Sequence, residues 1–120
     1  MIYLRPRFRS NLVRLAHKTV IFIYVPCQNI DMAKTIAKLL VEKRMAGKVD
    51  IIPTQSIFRV NDVATEVSGA TMIIMTIDRH IQAIEDVVRE HYQDGVPCMA
   101  TIALFRLNRD FKDWLIASTS

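Results

Sequence analysis

Val49-Asp50-Ile51-Ile52-Pro53-Thr54-Gln55-Ser56-Ile57-Phe58-Arg59-Val60, followed by Asn61-Asp62 and by a run closing on Thr71-Met72-Ile73-Ile74-Met75-Thr76-Ile77, decides the fold. Both runs are rich in β-branched and aromatic residues, which suit a pleated, half-buried strand. Asn61-Asp62 between them tolerates the positive φ that a two-residue hairpin turn demands. The stretch therefore predicts one long central hairpin. Pro53 removes a ladder donor and Gly69 has no side chain to pack, so each is expected to mark a bulge or bend that curls the ribbon.

Upstream, Val20-Ile21-Phe22-Ile23-Tyr24-Val25 is an apolar run of strand length with no polar alternation, ending at Pro26, and predicts a strand buried on both sides. After Cys27-Gln28-Asn29, the residues Ala33, Ile36, Ala37, Leu40 and Val41 form one helical stripe, with Lys34, Lys38 and Glu42 outside it. Asn29 is the expected N-cap, and Gly47 the expected left-handed residue past the helix end. Downstream, Asp78 is expected to cap a second helix carrying Ile81, Ile84, Val87, Val88 and His91 on one face, stopped by Gly95-Val96-Pro97. Met99 to Phe105 reads as the last strand. Phe111, Trp114 and Leu115 then mark a short C-terminal helix, capped by Asn108 or Asp110.

The resulting class is α+β: a ferredoxin-like βαββαβ order with an antiparallel sheet and an added C-terminal helix. Right-handed crossovers put both connecting helices on one face of that sheet. The strands nevertheless offer apolar side chains to both faces, so the second face predicts self-association.

Charge divides the chain in two. Residues 1–18 hold Arg5, Arg7, Arg9, Arg14 and Lys18 with no acid, leaving 11 of the 16 basic residues against all 12 acids, a balance of −1 for residues 19–120. The folded domain, 19–120, thus lacks the clustered cations that phosphate-backbone binding needs, and nucleic acid is not expected outside the arm. Within the arm, Leu4, Phe8, Leu12 and Leu15 recur at helical steps among the arginines. An extension packing on the domain, an organelle transit segment, and a contact with anions, RNA or a membrane surface are all open for residues 1–18. No apolar run approaches the roughly 20 residues a bilayer span requires. Two cysteines are too few for a disulfide framework, which points to a reducing compartment and a cytoplasmic location, or an organelle if the arm is a transit segment.

Several segments together resemble the CutA family of divalent-cation tolerance proteins, over about Val20 to Thr119. Val25-Pro26 closes the first strand, and Ala33 through Met45-Ala46 is similar to that family's helix of the type I-A-x-x-L-V-E-x-R-x-A. Val49-Asp50-Ile51-Ile52-Pro53 and Ser56-Ile57-Phe58-Arg59 resemble its V-N-I-I-P and S-I-Y-R segments, and Asp110 to Thr119 its D-Y-x-D-W-L-x-x-S-T ending. The resemblance implies a ferredoxin-like homotrimer with subunits paired edge to edge. It also implies a non-enzymatic role in tolerance to copper and other divalent metals, and an architecture similar to the PII signalling trimers. In the family's intersubunit cleft the matching positions are Arg59, Val60, Met75 and Pro97. Val60 stands where the family has Trp, Met75 where it has Lys, and Ile23 where some members have Cys. Tyr92-Gln93-Asp94-Gly95-Val96-Pro97-Cys98 replaces H-P-Y-E-V-P-E, which puts Cys98 where the family has a carboxylate.

Val-Pro-Cys occurs twice, at residues 25–27 and 96–98. In a ferredoxin-like sheet the first and last strands are antiparallel neighbours, so Cys27 and Cys98 are expected close together. With His91 and Asp94 they make a thiolate, imidazole and carboxylate set for copper or zinc. The competing reading is two small buried thiols and a helix-face histidine. His80 is expected exposed and without a partner. No Gly-rich phosphate loop, G-x-S-x-G elbow or C-x-x-C is present. Two functions follow: a CutA-like, metal-binding homotrimer, and a PII-like module that binds a small anion or a protein.

Overall fold

The computed structural model describes residues 18–93 and 95–120. The helix expected in the arm and the ligand expected at Asp94 lie outside them. Strand β1 (Val20–Cys27) leads to helix α1 (Ile30–Glu42), the hairpin strands β2 (Lys48–Val60) and β3 (Val63–Ile77), a 3₁₀ turn (Asp78–His80), helix α2 (Ile81–His91), strand β4 (Ala100–Ala103) and helix α3 (Arg109–Ser118). The sheet order is β2-β3-β1-β4 with every neighbouring pair antiparallel, the ferredoxin-like arrangement.

Side-chain alternation sorts the core into two layers. Ile21, Ile23, Val25 and Cys27 of β1 and Ala70, Met72 and Ile74 of β3 face α1 and α2, where Ile36, Leu40, Ile84 and Val88 are fully buried. Burying each such side chain contributes roughly 1.5–3 kcal/mol. The opposite face is not bare, as the sequence had implied. Val20, Met75 and Ile77 pack there around Leu115 of α3, with Phe22, Ile73, Phe111 and Ile116 at the margin. The C-terminal helix therefore covers part of the second face, and its anchor is Leu115; Trp114 stays half exposed, in ring contact with Phe111.

Local chemistry explains most boundaries. Asn29 Oδ1 accepts from the Met32 amide at 2.7 Å and starts α1. The end of α1 differs from expectation: Arg44, not Gly47, takes the left-handed conformation (φ 59°). The Met45 amide then donates to Leu40 and the Arg44 amide to Val41, which is the paired-bond pattern of a Schellman motif. Gly47 is required for space, since a Cβ there would run into Leu115 Cδ1. Val41, expected in the buried stripe, is exposed. Asp78 makes no side-chain cap bond; the 3₁₀ turn precedes α2 instead. At α3, Asn108 and the Phe111 amide both bond Asp110 Oδ1 and hold that carboxyl below the usual range.

The C-terminal end of α3 is tied down by three side chains. Arg44 donates to the carbonyls of Ala117 (2.8 Å) and Ser120 (3.1 Å). Arg79 and His80 both donate to Thr119, at 3.2 and 2.7 Å. His80 is thus half-buried and partnered, contrary to expectation. Basic side chains at these last carbonyls complement the negative end of the helix dipole.

Candidate functional site

The hairpin turn has the predicted geometry, with Asn61 at φ 48° and Asp62 at φ 66°. The bulges expected at Pro53 and Gly69 are absent: the register runs unbroken from Lys48↔Met75 through Pro53↔Ala70 and Thr54↔Gly69 to Val60↔Val63. Gly69 has another cause. A Cβ at that position would stand 2.6 Å from the Cys27 carbonyl oxygen, so the glycine lets the end of β1 lie against the ribbon.

Strand β1 covers β3 only from Ala70 to Ile77. Beyond that, Thr54–Val60 and Val63–Gly69 pair with each other alone and project from the sheet. The projecting ribbon is apolar as well as exposed: Ile57 is 73% accessible, Val63 63% and Phe58 51%. Edge strand β4 is exposed at all four residues, and its final ladder pair is Tyr24↔Ala100 rather than one involving Met99. Tyr24 is exposed, so β1 is not buried on both sides along its length.

The expected metal donors are distributed as follows. Cys27 is buried in the core under α1, and burial pushes its thiol up to about 11. Cys98 is exposed. Both sulfurs are near enough to Tyr92 to add to the upward shift that burial imposes on its phenol. His91 Nδ1 donates to the Val87 carbonyl at 2.9 Å, which leaves Nε2 as the acceptor of the neutral ring. It lines an open groove with Asn29, Asp31, Met32 and Thr35. Among the described residues no group of three or more His, Cys, Asp or Glu stands close enough to hold one ion. The single chain therefore does not present a complete metal cage among those residues.

The residues matched to the intersubunit cleft are also separated. Arg59 and Val60 sit at the exposed tip of the ribbon, whereas Met75 is buried at its base against the α3 cluster. Pro97 is half-buried in the connection before β4. One feature lay outside the sequence reading altogether. A small crevice opens where β1 meets the ribbon, lined by Cys27, Thr54, Ser56, Phe58, Gly69 and Tyr92 among others. The lone glycine in a strand was its one visible signal.

A family model described as CutA1 divalent ion tolerance protein matches residues 21–118. The chain belongs to the CutA1 family. A divalent-cation tolerance protein CutA from Archaeoglobus fulgidus is 30% identical over 94 residues, which is 78% of this chain and 92% of the relative. One from Thermus thermophilus is 31% identical over 101 residues, 83% of this chain and 96% of the relative. A solved structure described as a periplasmic divalent cation tolerance protein CutA from Archaeoglobus fulgidus superimposes with a TM-score of 0.80 at 27% identity, covering 85% of this chain and 100% of that one. Among the described residues no helix is long and apolar enough to cross a membrane.

Proposed function

We propose that this CutA1 family member serves divalent-cation tolerance as a non-enzymatic homotrimer in the cytoplasm. The match over residues 21–118 carries the reading. Assembly is supported by the projecting ribbon: an apolar two-stranded arm exposed on both faces is marginal in water, and a neighbouring copy supplies the missing cover. Edge strand β4 supplies unpaired backbone for it.

Copper or zinc is the ion class proposed. Of the expected donors among the described residues, Cys98 and His91 Nε2 are the available pair, because the Cys27 thiol would first have to lose a tightly held proton. Remaining ligands come from Asp94, from solvent or from a neighbouring copy. Calorimetric titration of copper(II) and zinc(II) onto the full chain tests this. The expected result is micromolar or tighter binding, weakened at least tenfold by Cys98→Ser and by His91→Ala. Absence of binding by the unaltered chain would sink the direct metal role and leave tolerance to an indirect route.

A further inference from the structure

The order β2-β3-β1-β4 leaves β2 at one edge of the sheet and β4 at the other. Two residues past β4, Phe105 stands wholly in water and is the most exposed large apolar side chain among the described residues. At the opposite edge an open groove of about 500 Å³ lies where Gly47 leads into β2, walled by Val41, Arg44, Ala46 and Trp114. Val41 and Trp114, its apolar walls, are both about half exposed. We propose that Phe105 of one copy inserts into this groove of the next and anchors the homotrimer, an inference that rests on the assembly proposed above.

Topology supplies the first argument. Strand β4 runs antiparallel to β1, β1 to β3 and β3 to β2, so β4 of one copy meets β2 of the next antiparallel when two sheets join edge to edge. The registers set the level, because Ile102 pairs with Phe22, Phe22 with Met75 and Met75 with Lys48. An unstaggered joint therefore puts Ile102 beside Lys48 of the next copy, and Phe105 beside its Met45. A shift of one residue either way leaves Phe105 beside Arg44 or Ala46, both of which line the groove. Within one chain the two features cannot meet, since two strands lie between the edges and each strand adds about 4.8 Å. A projection on one edge and its complement on the other make a head-to-tail contact, which closes into a ring when the rotation allows.

The second argument is the chemistry of the groove. An enclosed cavity of about 150 Å³ already holds one benzene ring, so there is room for the Phe105 side chain. Trp114 offers it a second ring. Arg44 is fixed by its bonds to the carbonyls of Ala117 and Ser120, and a guanidinium is a favourable neighbour for an aromatic face. The contact also accounts for Val41, which helical patterning assigns to the buried stripe and which the single chain leaves exposed.

Trp114 is the one tryptophan of the chain, so its emission reads the groove alone. The test combines sedimentation equilibrium with tryptophan fluorescence of the full chain over a dilution series. For the unaltered chain, emission should move to longer wavelength as the copies dissociate. Phe105→Ala should weaken association on the order of tenfold or more, as loss of an aromatic anchor does, and should emit at the longer wavelength even where it remains assembled. Ile57→Ala, on the ribbon, should weaken association without altering the emission of the assembled species. Far-UV circular dichroism checks that Phe105→Ala, a change at a wholly exposed side chain, leaves the fold intact. An unaltered chain that assembles while Phe105→Ala changes neither association nor emission would overturn the groove assignment alone. A chain that is monomeric throughout would overturn the assembly reading and the groove with it.

Discussion

The two ends of the central hairpin share one ladder and one register yet differ in everything else. At the base, Ala70, Met72 and Ile74 of β3 are fully buried beneath α1 and α2, and Met75 and Ile77 are covered by α3. At the tip, Ile57, Phe58 and Val63 stand in water. Backbone pairing is continuous through both, so hydrogen bonding does not distinguish them. The difference is the third strand. Where β1 pairs with β3, helices have a sheet wide enough to cover; where β1 stops at Cys27, the ribbon has two bare faces. Among the described residues nothing covers the tip, and that is the physical basis for proposing assembly.

Truncations break the comparison most sharply. Met72→Ala should cost roughly 2–5 kcal/mol in urea unfolding, as large-to-small changes in a packed core do. Ile57→Ala should cost under about 0.5 kcal/mol in the dissociated chain. The same change should weaken association in the assembled one, seen as a dissociation midpoint shifted to higher protein concentration.

The junction between the two regions is the next place to press. Gly69→Val places atoms against the Cys27 backbone, which cannot swing aside as a side chain could. A loss of up to about 3 kcal/mol is expected, measured by thermal or urea unfolding. An unchanged midpoint would show that β1 does not rest on the ribbon there.

Cys27 marks the edge of the buried region and gives it a pH signature. Burial raises its thiol from 9.0 to about 11, so the folded chain holds that proton more tightly than the unfolded chain. The associated stability is complete below pH 9.0 and is lost as pH rises toward 11, a change on the order of 2 kcal/mol. Cys27→Ala should lack this slope, read as the difference in unfolding free energy between the two proteins from pH 8 to 11. Iodoacetamide at neutral pH should label exposed Cys98 far faster than Cys27.

The smallest effect concerns the helix covering the second face. Arg44→Ala removes two bonds to the carbonyls of Ala117 and Ser120 while leaving a non-glycine residue in the left-handed region. About 1 kcal/mol should be lost. Arg44→Gly should lose less, because glycine relieves the backbone.

The element order, the antiparallel sheet and the turn at Asn61-Asp62 were legible because each rests on local signals: period-two and period-3.6 patterning, and residues that tolerate positive φ. The Asn29 cap was legible for the same reason. Features set by contacts distant in sequence were not. Gly47 and Gly69 looked like a helix stop and a bulge, but each exists to clear space for an element far along the chain, Leu115 in one case and Cys27 in the other. Arg44 in a left-handed position contradicts glycine preference and is explained by its bonds to the end of α3, which no local pattern announces. At the candidate site, strand adjacency was the ground for expecting Cys27 and Cys98 close together. Their opposite exposure was not legible, since it depends on which way each side chain turns where the β1–β4 ladder ends.

The most direct test of the account is the mass of the full chain in solution by sedimentation equilibrium at micromolar concentration, beside an Ile57→Asp, Phe58→Asp variant. The prediction is a species of three times 13.8 kDa for the unaltered chain and a folded monomer, with unchanged far-UV circular dichroism, for the variant. A monomeric unaltered chain, or a variant that assembles undiminished, would contradict the claim that the hairpin tip is covered by a neighbouring copy.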